Sequence, residues 1–150
     1  MNTIIIGKES LLTKYLYKNN KNAIIFSARD HLKIPGIAKF INNKKNVNLI
    51  LNNFYPSSLI NNITSKDYEK FYNQSILFNA KLFTRLNGKN INKIIYSSSS
   101  SVYNSIQKDY QYVDSNNKNL YSSTKIAVEN LIYNFSSNNN IPFLIMRIFN

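Results

Sequence analysis

The sequence predicts an α/β protein built on a doubly wound parallel sheet of about five strands. Three observations lead there. Short runs rich in Ile, Val, Phe and Leu recur along the chain, and longer stretches with apolar residues at helical spacing separate them. The length, 150 residues, suits one domain. Its hydrophobic content, 43%, is enough to cover such a sheet with a core.

The elements follow in order. Residues 3–6 are a first strand and 10–17 a short helix. Residues 23–27, "AIIFS", are a second strand, 36–41 a helix, and 47–51, "VNLIL", a third strand. Ser65 caps a long helix over 66–86, whose apolar side carries Tyr68, Phe71, Tyr72, Leu82, Phe83 and Leu86, and Gly88 stops it. Residues 91–96 are a fourth strand. A polar loop covers 104–119, a second long helix covers 121–135, and Pro142 opens a fifth strand, "PFLIMR". No internal repeat is present.

Sheets of this kind bind ligands beyond the carboxyl ends of their strands. The serine run of "IIYSSSSSVYNS", 94–105, stands at one such end. Serine runs elsewhere are flexible linkers. This one is held between a strand and a return to Val102 and Tyr103, so it reads as the floor of a site.

"LYSSTKIAVENLI" places Tyr121 and Lys125 four residues apart near a helix start, on one face and about 6 Å apart. The row continues through Val128, Ile132 and Phe135, so that face points inward. A phenol is a poor acid or base at neutral pH, with a reference pKa of about 10. A neighbouring ammonium is expected to lower it, which makes the two residues a proton-transfer pair. By itself the Y-x-x-x-K spacing is weak in a chain with 11 tyrosines.

In context it is stronger. "SSSSVY" at 98–103, followed by "YSSTK" at 121–125, resembles the short-chain dehydrogenase/reductase superfamily, and within it the extended branch of nucleotide-sugar epimerases, dehydratases and reductases. "RIFN" at 147–150 resembles the R-x-x-N that ends that branch's next strand. "FYNQSILFNAKLF" at 71–83 is similar to its N-x-x-G-T-x-x-L helix, with Asn73 at the Asn position.

The resemblance implies a Rossmann-type NAD(P)-binding domain over residues 1–150. It implies Tyr121 as proton donor or acceptor, Lys125 on the nicotinamide ribose, and Ser99 on the substrate oxygen. The cofactor would lie against Gly7, Ser10, Leu11, Ser27, Arg29, Asn52, Tyr121 and Lys125. Arg29 with Ser27, after the second strand, leans towards NADP over NAD. A nucleotide-linked sugar would be the substrate, with epimerisation, dehydration and reduction all open. A homodimer through helices 66–86 and 121–135 is implied as well.

The chain also departs from that pattern. The fingerprint G-x-x-G-x-x-G reads "GKESLLT", which keeps Gly7 but has Ser10 and Thr13 at the other glycines and Glu9 beside the phosphates. Thr13 is expected to loosen helix–strand packing. Asn52, Asn53 and Phe54 stand where small residues normally lie under the cofactor, and would either crowd it or replace its backbone contacts. Members of the branch run to roughly twice this length, so the half that builds the sugar pocket is expected outside these residues.

Other classes find less support. The net charge of +12 would suit nucleic acid or an anionic membrane, but the lysines are scattered through an Asn-, Ile- and Tyr-rich composition, and no basic-aromatic recognition motif is present. With no cysteine, one histidine and seven scattered carboxylates, neither a metal site nor a glycosidase pair is expected. The lone His31 reads as a surface or satisfied residue. No signal peptide and no membrane span are expected, and a cytoplasmic location is. The alternative to an enzyme is a catalytically inactive Rossmann-like binding or scaffold domain, or a non-functional fragment.

Overall fold

The computed structural model describes residues 2–52, 64–104, 109–114 and 119–149. Five strands form one parallel sheet: β1 (Asn2–Ile6), β2 (Ile24–Phe26), β3 (Val47–Leu51), β4 (Ile91–Ser99) and, last in the chain, β7 (Phe143–Ile148). Their order is β2-β1-β3-β4-β7. The chain therefore winds one way from β1 to β2, then crosses back over β1 to β3. The point of reversal lies between β1 and β3, at their carboxyl ends, where a sheet of this type opens a crevice.

The helices are α1 (Leu11–Asn19), α2 (Ile34–Asn42), α3 (Tyr68–Phe71), α4 (Phe78–Phe83) and α5 (Leu120–Asn139). Right-handed crossovers put α1 on one face and the others together on the opposite face. Between that second group and the sheet lies the core: Ile4, Ile6, Leu49, Leu51, Ile94 and Tyr96 from the strands meet Ile37 and Ile41, Phe78 and Leu82, and Val128 and Ile132 from the helices.

Most predicted elements are present with shifted ends. Val47–Leu51 is found as expected, and α2 starts two residues before the predicted 36, with Pro35 in its first turn, where a missing N–H costs nothing. Three differences matter. β4 does not stop at Tyr96 but runs through Ser99, because β7 pairs with it at Ser97, Ser98 and Ser99. The helix predicted over 66–86 contains a π-helical turn, Tyr72–Leu77, between α3 and α4. Tyr68 and Tyr72 are exposed, while Phe71, Phe78 and Leu82 are buried, so the two tyrosines stand at the wet edge of the apolar stripe. Finally, the predicted polar loop 104–119 holds part of a two-stranded antiparallel ribbon, β5 (Tyr103–Asn104) with β6 (Asp109–Val113). Residues 105–108 and 115–118 of that loop, together with Asn53, Phe54 and Asn150, lie outside the described residues.

Candidate active site

Parallel strands present successive side chains to opposite faces, and this sorts the serines. Ser98 faces α5 and donates to Glu129 Oε1 at 2.5 Å. Ser97 faces the other way and donates to Asn52 Oδ1. Ser99 ends the strand and caps a single 3₁₀ turn, Ser100–Val102, its Oγ accepting from Ser101 N at 3.2 Å and Ser101 Oγ at 2.9 Å. The run is thus three strand residues and a turn, each hydroxyl of the strand committed to a different neighbour.

α5 delivers the other two predicted residues. Asn119 caps it, its side chain accepting from Tyr121 N at 2.9 Å and Ser122 N at 3.3 Å. That cap sets the phenol of Tyr121 at the helix mouth, half-buried, where the Ser99 side chain acts on its proton. One turn on, Lys125 is only 2% exposed. Its Nζ donates to the Ser97 carbonyl at 2.6 Å and stands 4.8 Å from the Tyr96 ring centre and 5.6 Å from that of Tyr121. The structure therefore brings Ser99, Tyr121 and Lys125 together at the carboxyl end of β4.

The electrostatics differ from the sequence expectation. Burial pushes the Tyr121 phenol up, and the group that pulls it back is the Ser99 hydroxyl rather than Lys125. Burial pushes Lys125 itself down to about 7, opposed by the carboxylate of Glu129. The ammonium lies over the Tyr121 ring and donates a hydrogen bond to the Ser97 carbonyl.

Glu129 continues the same helical row, four residues past Lys125. It receives Arg147 Nη2 at 2.9 Å and Nε at 3.3 Å, a fork on the carboxylate. Arg147 Nη1 donates to Tyr103 Oη at 3.0 Å. Glu129 is not among the predicted site residues. Its signal was the i, i+4 row Tyr121, Lys125, Glu129.

The predicted cofactor residues lie along the carboxyl ends of β1, β2 and β3. Gly7 has φ 116, a backbone conformation that other residues rarely adopt, and its N–H donates to Phe26 O at 2.9 Å. Ser10 is the N-cap of α1 and makes no side-chain cap bond. The first N–H groups of that helix, which have no partner within it, therefore face the loop without a capping oxygen. Leu11 is 81% exposed beside them, and Glu9 is exposed. Ser27 Oγ accepts from Arg29 N at 3.3 Å, and Arg29 is exposed. These features fit a dinucleotide phosphate at the helix end.

Two departures from the family pattern turn out to be partners. Thr13 is fully buried, and its Oγ1 accepts from Asn52 Nδ2 at 3.0 Å. The Asn52 amide is thereby engaged with Thr13 and Ser97. The expectation of looser packing at Thr13 gives way to a buried hydrogen bond. His31, expected to be on the surface or satisfied, is half-buried edge-on against Phe78, with Nε2 buried and without a hydrogen-bond partner among the described residues. Among the described residues no group of three or more His, Cys, Asp or Glu could hold a metal. No helix of the described residues is long and apolar enough to cross a membrane.

Sheet order, the Gly7 turn and the crevice together define a Rossmann-type α/β domain. The family model of the NAD dependent epimerase/dehydratase family matches residues 11–150, and the chain belongs to that family. None of the curated proteins compared with it matches. Among solved structures, a UDP-N-acetylglucosamine 4-epimerase from Methanobrevibacter ruminantium M1 is similar over 99% of this chain and 55% of its own, at 17% identity and a TM-score of 0.75. A UDP-glucuronic acid 4-epimerase from Bacillus cereus, in complex with NAD, is similar over 98% and 55%, at 16% identity and a TM-score of 0.72. Pal from Bacillus thuringiensis is similar over 100% and 56%, at 14% identity and a TM-score of 0.75. At these identities the likeness is one of fold. The chain spans about half the length of the solved structures it resembles.

Proposed function

We propose that this domain binds a nicotinamide dinucleotide across the ends of β1, β2 and β3, and that the bound complex acts on a nucleotide-linked sugar. The family assignment supports the cofactor class. The carrying observation is the meeting of Tyr121, Ser99 and Lys125 at the end of β4, on the same carboxyl edge of the sheet as the Gly7 turn.

Bound there, the nicotinamide supplies or accepts a hydride at a sugar carbon. The chain's own residues manage the proton. Held neutral by burial, the Tyr121 phenol carries its proton ready to give to an oxygen of the substrate, and takes it back in the opposite direction. Ser99 Oγ, on the same side of the site as that phenol, holds the same oxygen. Lys125, poised near neutrality, exchanges charge cheaply as the phenol gains or loses its proton and reaches the ribose hydroxyls. Arg29, exposed beside Ser27, favours NADP by pairing with a 2′-phosphate. Gly7, Ser10 and Leu11 line the remaining dinucleotide path, with the buried Asn52 side chain beneath it.

Titration with NADPH and NADH, followed by fluorescence, tests this. Saturable binding well below millimolar is expected, tighter for NADPH, with Arg29→Ala removing the difference. Absence of saturable binding overturns the reading. A second reading, a catalytically inactive Rossmann-like binding or scaffold domain that has lost the cofactor, draws support from Glu9, Ser10 and Asn52. It predicts the fold without saturable binding of either dinucleotide.

The same proposal includes a cytoplasmic location and a homodimer through helices 66–86 and 121–135. The exposed aromatic rings of Tyr68, Tyr72 and Tyr133 support the dimer. Light scattering that gives a monomer mass at micromolar concentration would count against it.

A further inference from the structure

Three buried side chains form one continuous polar path across the sheet, under the crevice rather than in it. Thr13 starts it on α1. Asn52, at the end of β3, donates to Thr13 Oγ1 and accepts from Ser97 Oγ. Ser97 sits on β4, and its own carbonyl takes the Lys125 Nζ at 2.6 Å. Thr13 is 0% exposed, Asn52 1%, Ser97 2% and Lys125 2%. Water does not reach these groups, so each bond has no ready substitute.

The path joins two places that the fold otherwise holds apart. At one end stands the helix whose N-terminus follows the Gly7 turn; at the other stands the lysine beneath Tyr121. Asn52 is the only one of the three that bonds to both neighbours with its side chain, and its backbone N–H also donates to Ile6 O at 2.8 Å on β1. A small side chain at 52 would leave Thr13 and Ser97 without a bridge.

We propose that Asn52 is a positioning residue: its buried amide locks Thr13 to Ser97, and through Ser97 fixes the carbonyl that holds Lys125 beneath Tyr121. The inference rests on the proposed role of Lys125, but its test uses the full chain without cofactor. Failure to bind NAD(P) and failure of this path are therefore separate results.

The probe is acetic anhydride, used for competitive acylation across neutral and alkaline pH, with Lys125 followed by peptide mass spectrometry. The groups facing Lys125 are Tyr96 on β4, Tyr121 and Glu129 on α5, and Arg147 behind Glu129 on β7. None of these is altered. In the parent chain the midpoint is expected at about 7. Thr13→Val keeps the shape of the side chain but removes the acceptor. Asn52 is released, water gains access to the ammonium, and the midpoint is expected to rise by about half a unit or more. Asn52→Ala does the same. Thr13→Ser keeps the hydroxyl and is expected to keep the parent midpoint.

An unchanged midpoint in folded Thr13→Val overturns the proposal. So does a Thr13→Ser midpoint that moves as far as that of Thr13→Val, since that would mark packing alone. Urea unfolding gives a second reading. Thr13→Val and Ser97→Ala change two residues bridged by Asn52, so the double variant is expected to lose less than the sum of the single losses. Strict additivity counts against the path.

Discussion

The ammonium of Lys125 lies 5.6 Å from the centre of the Tyr121 ring, one turn further along α5, and donates to a backbone carbonyl instead of to the phenol. The Ser99 side chain opposes the effect of burial on the phenol. Replacing Ser99 by Ala removes that influence and leaves burial unopposed. The Tyr121 phenol is then expected to ionise at still higher pH. NMR of tyrosine labelled at Cζ measures this, with Tyr121→Phe identifying the signal. A Tyr121 signal that titrates unchanged in Ser99→Ala would show that Ser99 does not govern the phenol.

A second expectation concerns the Glu129–Arg147 pair. The Glu129 side chain is 7% exposed and that of Arg147 27%, with 2.9 Å between Nη2 and Oε2. The hydrogen bond to Glu129 is the main reason that the guanidinium is held above its ordinary pKa. Breaking a buried pair costs about 3–5 kcal/mol, and the partly wet Arg147 reduces this to about 2 kcal/mol for Glu129→Gln. Glu129 also holds the Lys125 pKa up, so the acylation midpoint of Lys125 should fall in the same variant. Urea denaturation gives the stability change. A loss in Glu129→Gln/Arg147→Met equal to the sum of the single losses would mean that the two residues act independently.

Much of this was legible in sequence, and the failures have physical causes. Val47–Leu51 was found because polar residues bound a compact apolar run. Ser97–Ser99 were not read as strand because serine has no strand preference of its own; they are extended because β7 supplies partners from more than forty residues away. Tyr68 and Tyr72 were placed on the apolar side by their spacing around Phe71, but spacing does not tell which edge of the stripe meets solvent, nor reveal the π-helical turn that follows. Ser99, Tyr121 and Lys125 could be named from the resemblance of their motifs to the family, not from spacing alone. The tie between Thr13 and Asn52 could not, since two substitutions 39 positions apart look like two separate defects until the sheet brings them to 3.0 Å.

A third expectation tests the packing of α5 on the loop before β4. A Cβ added at Gly88 would lie 2.6 and 2.7 Å from Cγ and Cβ of Asn139, in the last turn of α5. Asn139 is itself tied to Phe135 O at 2.8 Å. Gly88→Ala must therefore move that turn, at a cost of about 1–3 kcal/mol. Asn139→Gly added to Gly88→Ala removes the clash and should recover part of the loss. Thermal unfolding compares the two, and a Gly88→Ala chain as stable as the parent would contradict this contact.

The last expectation is a pH profile of stability with a maximum on the alkaline side of neutrality. Lys125 has an ordinary value of 10.5 and about 7 in the folded chain, because burial penalises its charge. Between those values the unfolded chain holds a proton that the folded chain lacks, so stability rises with pH. The cost of burying the lysine is complete below about 7 and gone above its ordinary value. One such group contributes a slope of at most about 1.4 kcal/mol per pH unit. The phenols act in the opposite sense. Tyr96 and Tyr121 are both raised above 10.0, chiefly by burial, so above that value the unfolded chain loses protons that the folded chain keeps, and stability falls. Lys125→Met removes the rising limb and leaves the falling one. Urea midpoints measured at neutrality and about two units above it separate the two chains. A parallel rise in parent and Lys125→Met would assign the limb to another group and would mean that Lys125 is charged where the structure buries it.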